Sequence, residues 1–229
     1  MAAVERKRGG LARDIKGCAR RIVVADGVSS LTLAAIARDL GITSPAIYRY
    51  YDGVGDIVRE LAADIVTDLV NAMRRAVAEQ RDTGPKLAAA TRAFRQWSVE
   101  HRAEFALLFG NGSALPDPDI ATDWVRRLAQ VWGPLVGQAW RDHAPRITPE
   151  ERLAAPLRTQ LAGYRELIGA DDVPLGLVLV FLDCWRQIYG MVCLEVFGHF
   201  GAAFTDHEPL FENMLAGLLH RLGVGPDPG

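Results

Sequence analysis

Leu33 to Tyr51 read LAAIARDLGITSPAIYRYY, and the fold of the amino-terminal part of the chain turns on this stretch. Ile36 and Leu40 repeat at helical spacing, Gly41 interrupts them, and Ile47 and Tyr50 resume an apolar face after Thr43-Ser44-Pro45. Ser30 or Thr32 suits the N-cap of the first short helix. Thr43 or Ser44 suits that of the second, with Pro45 acceptable in its first turn. Two helices that cross tightly enough for the second to enter a major groove need small residues where they touch. Ala37 meets that need, and Gly41 follows the helix where the backbone requires positive φ. Ile36, Leu40, Ile42, Ile47 and Tyr50 then stand where apolar or aromatic anchors would set the crossing angle. One Ala and one Gly would fit any helical hairpin. Seven matched positions predict a helix-turn-helix.

Charge supports the same reading. Residues 1–51 hold nine Lys/Arg against four Asp/Glu, whereas the remaining 178 hold 17 against 24, so a net charge of −2 hides a basic head on an acidic body. Attraction to a polyanion depends on local positive charge more than on the total. The rival explanation is chance clustering on a solvated face.

Outward from the motif, long segments repeat at helical period without the alternation a half-exposed strand would show, and the chain is predicted all-α. A basic arm (Arg6, Lys7, Arg8) precedes a first helix from about Arg13 to Asp26, stopped by Gly27. A long helix starts between Asp52 and Asp56 and carries Ile57, Leu61, Ile65, Leu69 and Met73 in one stripe to about Arg81. Thr83-Gly84-Pro85 breaks the pattern, and one helix then holds Phe94, Trp97, His101 and Leu108 to about Phe109. Gly110 to Pro118 is a loop. Further helices are expected over Ile120 to His143, Pro149 to Ile168, Pro174 to His199 and Glu208 to Leu222, the last two the most hydrophobic. The expected division is residues 1–52 as basic arm and helix-turn-helix domain, 53–222 as an all-helical ligand-binding and dimerisation domain, and 223–229 as a disordered tail.

Residues 13 to 61 resemble the DNA-binding domain of TetR-type transcriptional regulators, whose pattern joins T-x-x-x-I-A-x-x-x-G, here Thr32 to Gly41, to Y-x-[HY]-[FY], here Tyr48-Arg49-Tyr50-Tyr51. Trp185 to His199, WRQIYGMVCLEVFGH, resembles the carboxy-terminal end of a large subgroup of the same family. The resemblance implies an all-α homodimeric repressor with a small reading head and a larger domain for ligand binding and dimerisation. One departure stands out. The family places a Lys near the start of the fourth helix as a phosphate contact, and this chain has Val54 there.

Side-chain chemistry assigns roles within the motif. Thr43, Ser44, Pro45, Ala46, Tyr48 and Arg49 lie on the leading turns of the recognition helix, within reach of base edges. Arg49 suits either a bidentate guanine contact or a phosphate. Thr32, Tyr48 and Tyr50 suit phosphate, with a core aromatic as the other reading of Tyr50. Arg6, Lys7, Arg8 and Arg13 would either follow phosphates or enter a minor groove, making binding salt-sensitive, or form a solubilising tail.

A single three-helix head makes few contacts, so a two-fold dimer on a double-stranded operator is expected. Phe181, Ile188, Val192, Val196, Met214 and Leu218 are the candidate seam, with Gly190 and Gly198 allowing close approach. The alternative is that both helices fill the core of one chain. Trp97, His101 and Phe105 recur on one face and either pack in the core or line an apolar small-molecule pocket with one polar handle, joined by Tyr164, Trp185 and Tyr189.

Other classes find less support. No GxSxG, HExxH or phosphate-binding glycine loop is present, and the five His are scattered, so an all-α enzyme is disfavoured. A regulator without a small-molecule ligand stays open. Cys18, Cys184 and Cys193 form neither a disulfide framework nor a metal pattern, and no metal or cofactor is expected. The longest apolar run, Val173 to Leu182, is short of the roughly 20 residues that span a bilayer, and a cytoplasmic protein without a membrane partner is expected.

Overall fold

The computed structural model describes residues 2–110, 118–201 and 204–225, with side chains described from Gly10 onward and not over 118–121. Among these residues the regular structure is helical: α1 Ala2–Asp26, α2 Leu33–Leu40, α3 Ser44–Ile47, α4 Val54–Ala78, α5 Thr83–Glu100, α6 Arg102–Phe109, α7 Pro118–His143, α8 Ala155–Leu167, α9 Leu175–Val196 and α10 Glu208–Arg221. The all-α expectation holds.

Four boundaries differ from those expected. α1 begins at Ala2 instead of near Arg13, so the stretch read as an arm is helical in its backbone, although the side chains of Arg6, Lys7 and Arg8 lie outside the described residues. Thr83-Gly84-Pro85 forms the first turn of α5 instead of a break, because a proline in a first turn forfeits no helical hydrogen bond. The helix expected through His101 is two helices. His101 takes φ −119°, ψ 47°, outside the helical region, and α6 restarts at Arg102. The segment from Pro149 opens as a 3₁₀ turn, Glu150–Arg152, before α8. Of the expected loop Gly110 to Pro118, residues 111–117 lie outside the described residues, as do 226–229 of the tail.

Two compact units emerge. The first comprises residues 1–68 and 101–121, the second 69–100 and 122–229. In the first unit α1 packs against α2 and α6 around Ile15, Ala19, Ile36, Ile47, Ile57, Leu61 and Ile65, all fully buried or nearly so. The stripe read along α4 is therefore core. A buried carboxylate accompanies this packing: Glu104 on α6 accepts from Arg20 Nε of α1 at 2.5 Å, and Arg20 Nη2 lies 2.7 Å from Asp68 Oδ2.

In the second unit α9 packs against α5, α8 and α10. Phe94, Trp132 and Trp185 meet with ring centroids 5.4 to 5.6 Å apart, and Trp132 Nε1 donates to the buried Thr91 hydroxyl at 3.2 Å. Arg95 of α5 grips the buried Glu195 of α9 with two bonds, 2.7 and 2.9 Å, also pairs with Glu208, and lies 4.8 Å over the Phe211 ring. The first residues of the expected tail are ordered. Val224 and Gly225 both donate to the Leu219 carbonyl, at 3.0 and 3.1 Å, which closes α10. A side chain at Gly84 would meet the Val224 carbonyl oxygen at 2.5 Å, so only glycine fits beneath that closure.

Leu175–Val196 is, by length and composition, apolar enough to cross a membrane. Core helices share that property, and twelve of its residues are buried in this unit.

Candidate nucleic-acid interface

The bonds of the helix-turn-helix follow from Thr32 and from residues in the quoted stretch. Thr32 takes an extended conformation and its hydroxyl accepts the Ala35 N–H at 3.0 Å, starting α2. At the other end Gly41 adopts φ 63°, ψ 31°, and the Ile42 N–H returns to the Ala37 carbonyl at 3.0 Å. This left-handed closure turns the chain in three residues. Thr43 then precedes α3, with Pro45 in its first turn. Ile47 is fully buried and anchors α3 against the head.

Around that anchor the remaining motif residues face outward. Thr43, Pro45, Tyr48 and Arg49 are exposed, Tyr48 at 57%, while Ser44, Ala46 and Tyr50 are half-buried. Exposing most of a tyrosine ring beside an arginine forgoes burial that a core helix would take. Thr32 is exposed despite its capping bond, and Arg13 is exposed on α1. The core aromatic of the pair is Tyr51, whose hydroxyl donates to Glu60 at 3.0 Å and lies 3.4 Å from the Ala12 carbonyl. Burial first, then the Glu60 carboxylate, pushes its phenol well above the usual tyrosine value. Ionisation is suppressed, and the ring holds α4 to α1.

Further clamps fix the head. Cys18 Sγ lies 3.0 Å from Asp39 Oδ2, which also accepts from Arg21 at 2.7 Å. Burial, with Asp39 second, raises the Cys18 thiol to about 11. Lys16 pairs with Asp64 at 2.7 Å and Glu60 at 3.6 Å. At the start of α4, beside Val54, Asp56 Oδ2 accepts the Asp52 N–H at 2.9 Å and Asp56 pairs with Arg59. A carboxylate thus occupies the helix terminus.

In the second unit the structure gathers part of the expected pocket. Tyr164 and Trp185 line one small cavity with Trp132, and Trp185 with Trp132 lines a second of about 30 Å³, the scale of a single water. Trp185 stacks on Tyr189 at 5.5 Å, but Tyr189 is absent from the lining of both. Trp97, His101 and Phe105 do not form a continuous face, because the helix breaks at His101; Trp97 and Phe105 are buried in different compact units.

The expected seam also needs correction. Phe181, Ile188, Val192, Val196 and Leu218 are each at most 8% exposed within one chain, and Met214 is half-buried against a core cluster. Phe181, Ile188, Val192, Val196 and Leu218 fill the interior and present no surface to a second copy, whereas Met214 keeps part of its side chain exposed. Sequence periodicity marks a helix as apolar without saying which apolar face is taken up inside the chain.

A solvent-facing recognition helix on a clamped three-helix head defines the class, a helix-turn-helix DNA-binding regulator. The family model described as "Bacterial regulatory proteins, tetR family" matches residues 18–61, and that described as "Tetracyclin repressor-like, C-terminal domain" matches residues 87–218. The chain belongs to the TetR family of bacterial regulatory proteins and is a DNA-binding transcriptional regulator, not an enzyme. It is 29% identical over 202 residues to an HTH-type transcriptional regulator of Mycobacterium tuberculosis, covering 84% of each chain. The crystal structure of the regulatory protein SCO4313 superposes with a TM-score of 0.74 at 26% identity, over 94% of this chain and 98% of that one. RolR in complex with resorcinol shares the fold, with a TM-score of 0.57 at 14% identity over 98% and 97% of the two chains.

Proposed function

We propose that this regulator is a cytoplasmic homodimeric repressor whose two heads, residues 1–52 of each copy, hold a double-stranded operator until a small, largely apolar effector binds the helical body, residues 53–222. The outward side of α3 and of the turn that follows it carries the reading: the sequence places Tyr48 and Arg49 on the recognition helix, the structure puts them in the turn after its last residue, and both stand exposed beside the buried Ile47. Arg49 reads a guanine or grips a phosphate, Thr43 to Ala46 approach base edges, and Thr32, Tyr48 and Tyr50 fix register on phosphates. Arg6, Lys7, Arg8 and Arg13 add counterion release, so affinity falls steeply with salt.

Dimerisation is assigned to the outward faces of α9 and α10. Leu194 on α9 and Phe197 just past its end are exposed at 40% and 37%, and a side chain built at Gly190 or Gly217 meets nothing within 4 Å. Such faces admit close helix approach between copies. The effector role draws support from the carboxy-terminal family match and from RolR, a protein of this fold that holds resorcinol. An effector that prefers one arrangement of the paired heads shifts the DNA-competent population.

The test is a gel shift on the promoter fragments flanking the gene. Arg49→Ala abolishes the shifted band while the far-UV CD spectrum stays unchanged. Retained affinity removes Arg49 from the interface, and a monomer in light scattering at micromolar concentration removes the dimer.

A further inference from the structure

A cavity of about 340 Å³ lies within the second unit between α7, the 168–173 segment and α9, far larger than the aromatic cavity of about 30 Å³ beside Trp132. Its size falls in the range of small-molecule sites, roughly 300–1,000 Å³. Two of the α7 residues that line it, Gly133 and Gly137, carry no side chain, while Gln130, Val136 and Arg141 of the same helix line it as well. Gly133 and Gly137 stand one turn apart, and Pro134 between them brings no N–H to the carbonyl of Gln130, which also lines the cavity. Leu177 and Phe181 of α9, both buried, supply an apolar wall.

Three charged residues complete the lining, Arg141, Asp171 and Asp172, for a net charge of −1. Among the described ion pairs none joins Arg141 to either aspartate, and the guanidinium donates instead to Gln138 at 2.8 Å. Both carboxylates are exposed, and neither is spent on the arginine. Their segment is held in a fixed turn: Gly169, at φ 67°, donates to the Glu166 carbonyl, Ala170 donates to that of Arg165, each at 3.0 Å, and Arg165 Nη1 reaches the Val173 carbonyl at 3.3 Å. Two adjacent anionic groups and a helix carbonyl without its usual donor are a surplus of acceptors beside an apolar wall. The complementary ligand is a donor-rich cation on an apolar body.

We propose that this cavity is the effector site and that it takes a small organic cation, with its apolar part against Leu177 and Phe181 and its ammonium group on Asp171, Asp172 and the Gln130 carbonyl. The inference rests on the effector reading above and names the site and ligand class for it.

Titration calorimetry of the full chain with three probes of one apolar body tests it: phenethylammonium, hydrocinnamate and phenethyl alcohol. Phenethylammonium binds about tenfold tighter than the other two, as a charge-assisted contact requires. The double variant Asp171→Asn/Asp172→Asn erases that preference. Gly133→Leu fills the cavity and abolishes binding of all three; its first added atom meets nothing within 4 Å, and melting no earlier than the parent shows that it folds. Tightest binding of hydrocinnamate, undiminished binding to Gly133→Leu, or no heat from any probe at millimolar concentration overturns the proposal. No DNA is present in the titration, so it judges the cavity alone. A gel shift with phenethylammonium judges the effector role, and binding without operator release sinks that role while the site stands.

Discussion

Replacing Arg20 by Met removes the only described cation bonded to Glu104, a carboxylate 3–4% exposed on α6. The guanidinium bridges two acids in the native head, donating to Glu104 at 2.5 Å and lying 2.7 Å from Asp68. These acids differ in what they lose. Asp68 is 47% exposed and regains water, whereas Glu104 does not. Leaving one buried charge unpaired costs about 3–5 kcal/mol, several times the worth of an exposed pair. Because the chain has two compact units, the loss is best read locally, by amide hydrogen exchange in α1 near Ile15 and Ala19. At about 1.4 kcal/mol per decade, those amides exchange about two to three and a half orders of magnitude faster in Arg20→Met. Glu104→Gln alone keeps an acceptor for Arg20 and costs about 1–2 kcal/mol. The double variant Arg20→Met/Glu104→Gln therefore recovers part of the protection lost in Arg20→Met. Lys16→Met serves as control: its partners Glu60 and Asp64 are 54% and 47% exposed, and the change stays below about 1 kcal/mol. Acceleration of less than tenfold in Arg20→Met, or a double variant no better protected than the single, refutes the argument from Glu104 burial.

Two further outcomes follow, one from the left-handed turn of the head and one from groups buried in both units. Gly41→Ala forces a side chain into φ 63°, where a built Cβ meets nothing within 4 Å, so the whole cost is backbone strain of about 1–2 kcal/mol; Gly41→Asn costs less, and thermal melting ranks the three. Equal melting of the Ala variant and the parent contradicts the left-handed turn. Alkaline pH should weaken the fold, because the Cys18 and Cys184 thiols are raised to about 11 by burial and Tyr51 is raised by burial and Glu60. Groups whose folded values are raised hold protons that the unfolded chain releases. Their stabilisation is complete below about pH 8.5 for the thiols and about pH 10 for the phenol, and is lost as pH climbs through the folded values. Urea midpoints consequently fall between pH 8 and pH 10.5, and Cys18→Ala with Tyr51→Phe flattens the decline. A midpoint constant over that range shows that these groups ionise alike in both states.

Much of the head could be read without coordinates because its determinants are local. Thr32 caps, Gly41 turns left-handed and Pro45 opens a first turn whatever surrounds them, so a run of residues close in sequence specified the helix-turn-helix and its outward Arg49. The body behaved otherwise. Apolar periodicity named Phe181, Val192 and Leu218 as noteworthy, yet whether such a face meets its own chain or another depends on what packs opposite, and here α5, α8 and α10 take up much of α9. Tyr50 and Tyr51 adjoin in sequence, and only the placement of Glu60 and Ala12 made the second the buried one.

The cavity beside α7 had a faint sequence signal in Gly133, Pro134 and Gly137, which look like poor helix formers until a helix is seen to run through them with space alongside. Similarly, nothing near His101 in the sequence announces a break, since neither glycine nor proline is adjacent; the direction of α6 is settled with Glu104 buried on Arg20, 84 residues away. By itself the sequence determined helix content, capping and the reading head, because these depend on neighbours a few residues apart. Tertiary structure alone decided which apolar faces are interior, where a helix bends and where space is left, because those depend on contacts between residues far apart along the chain.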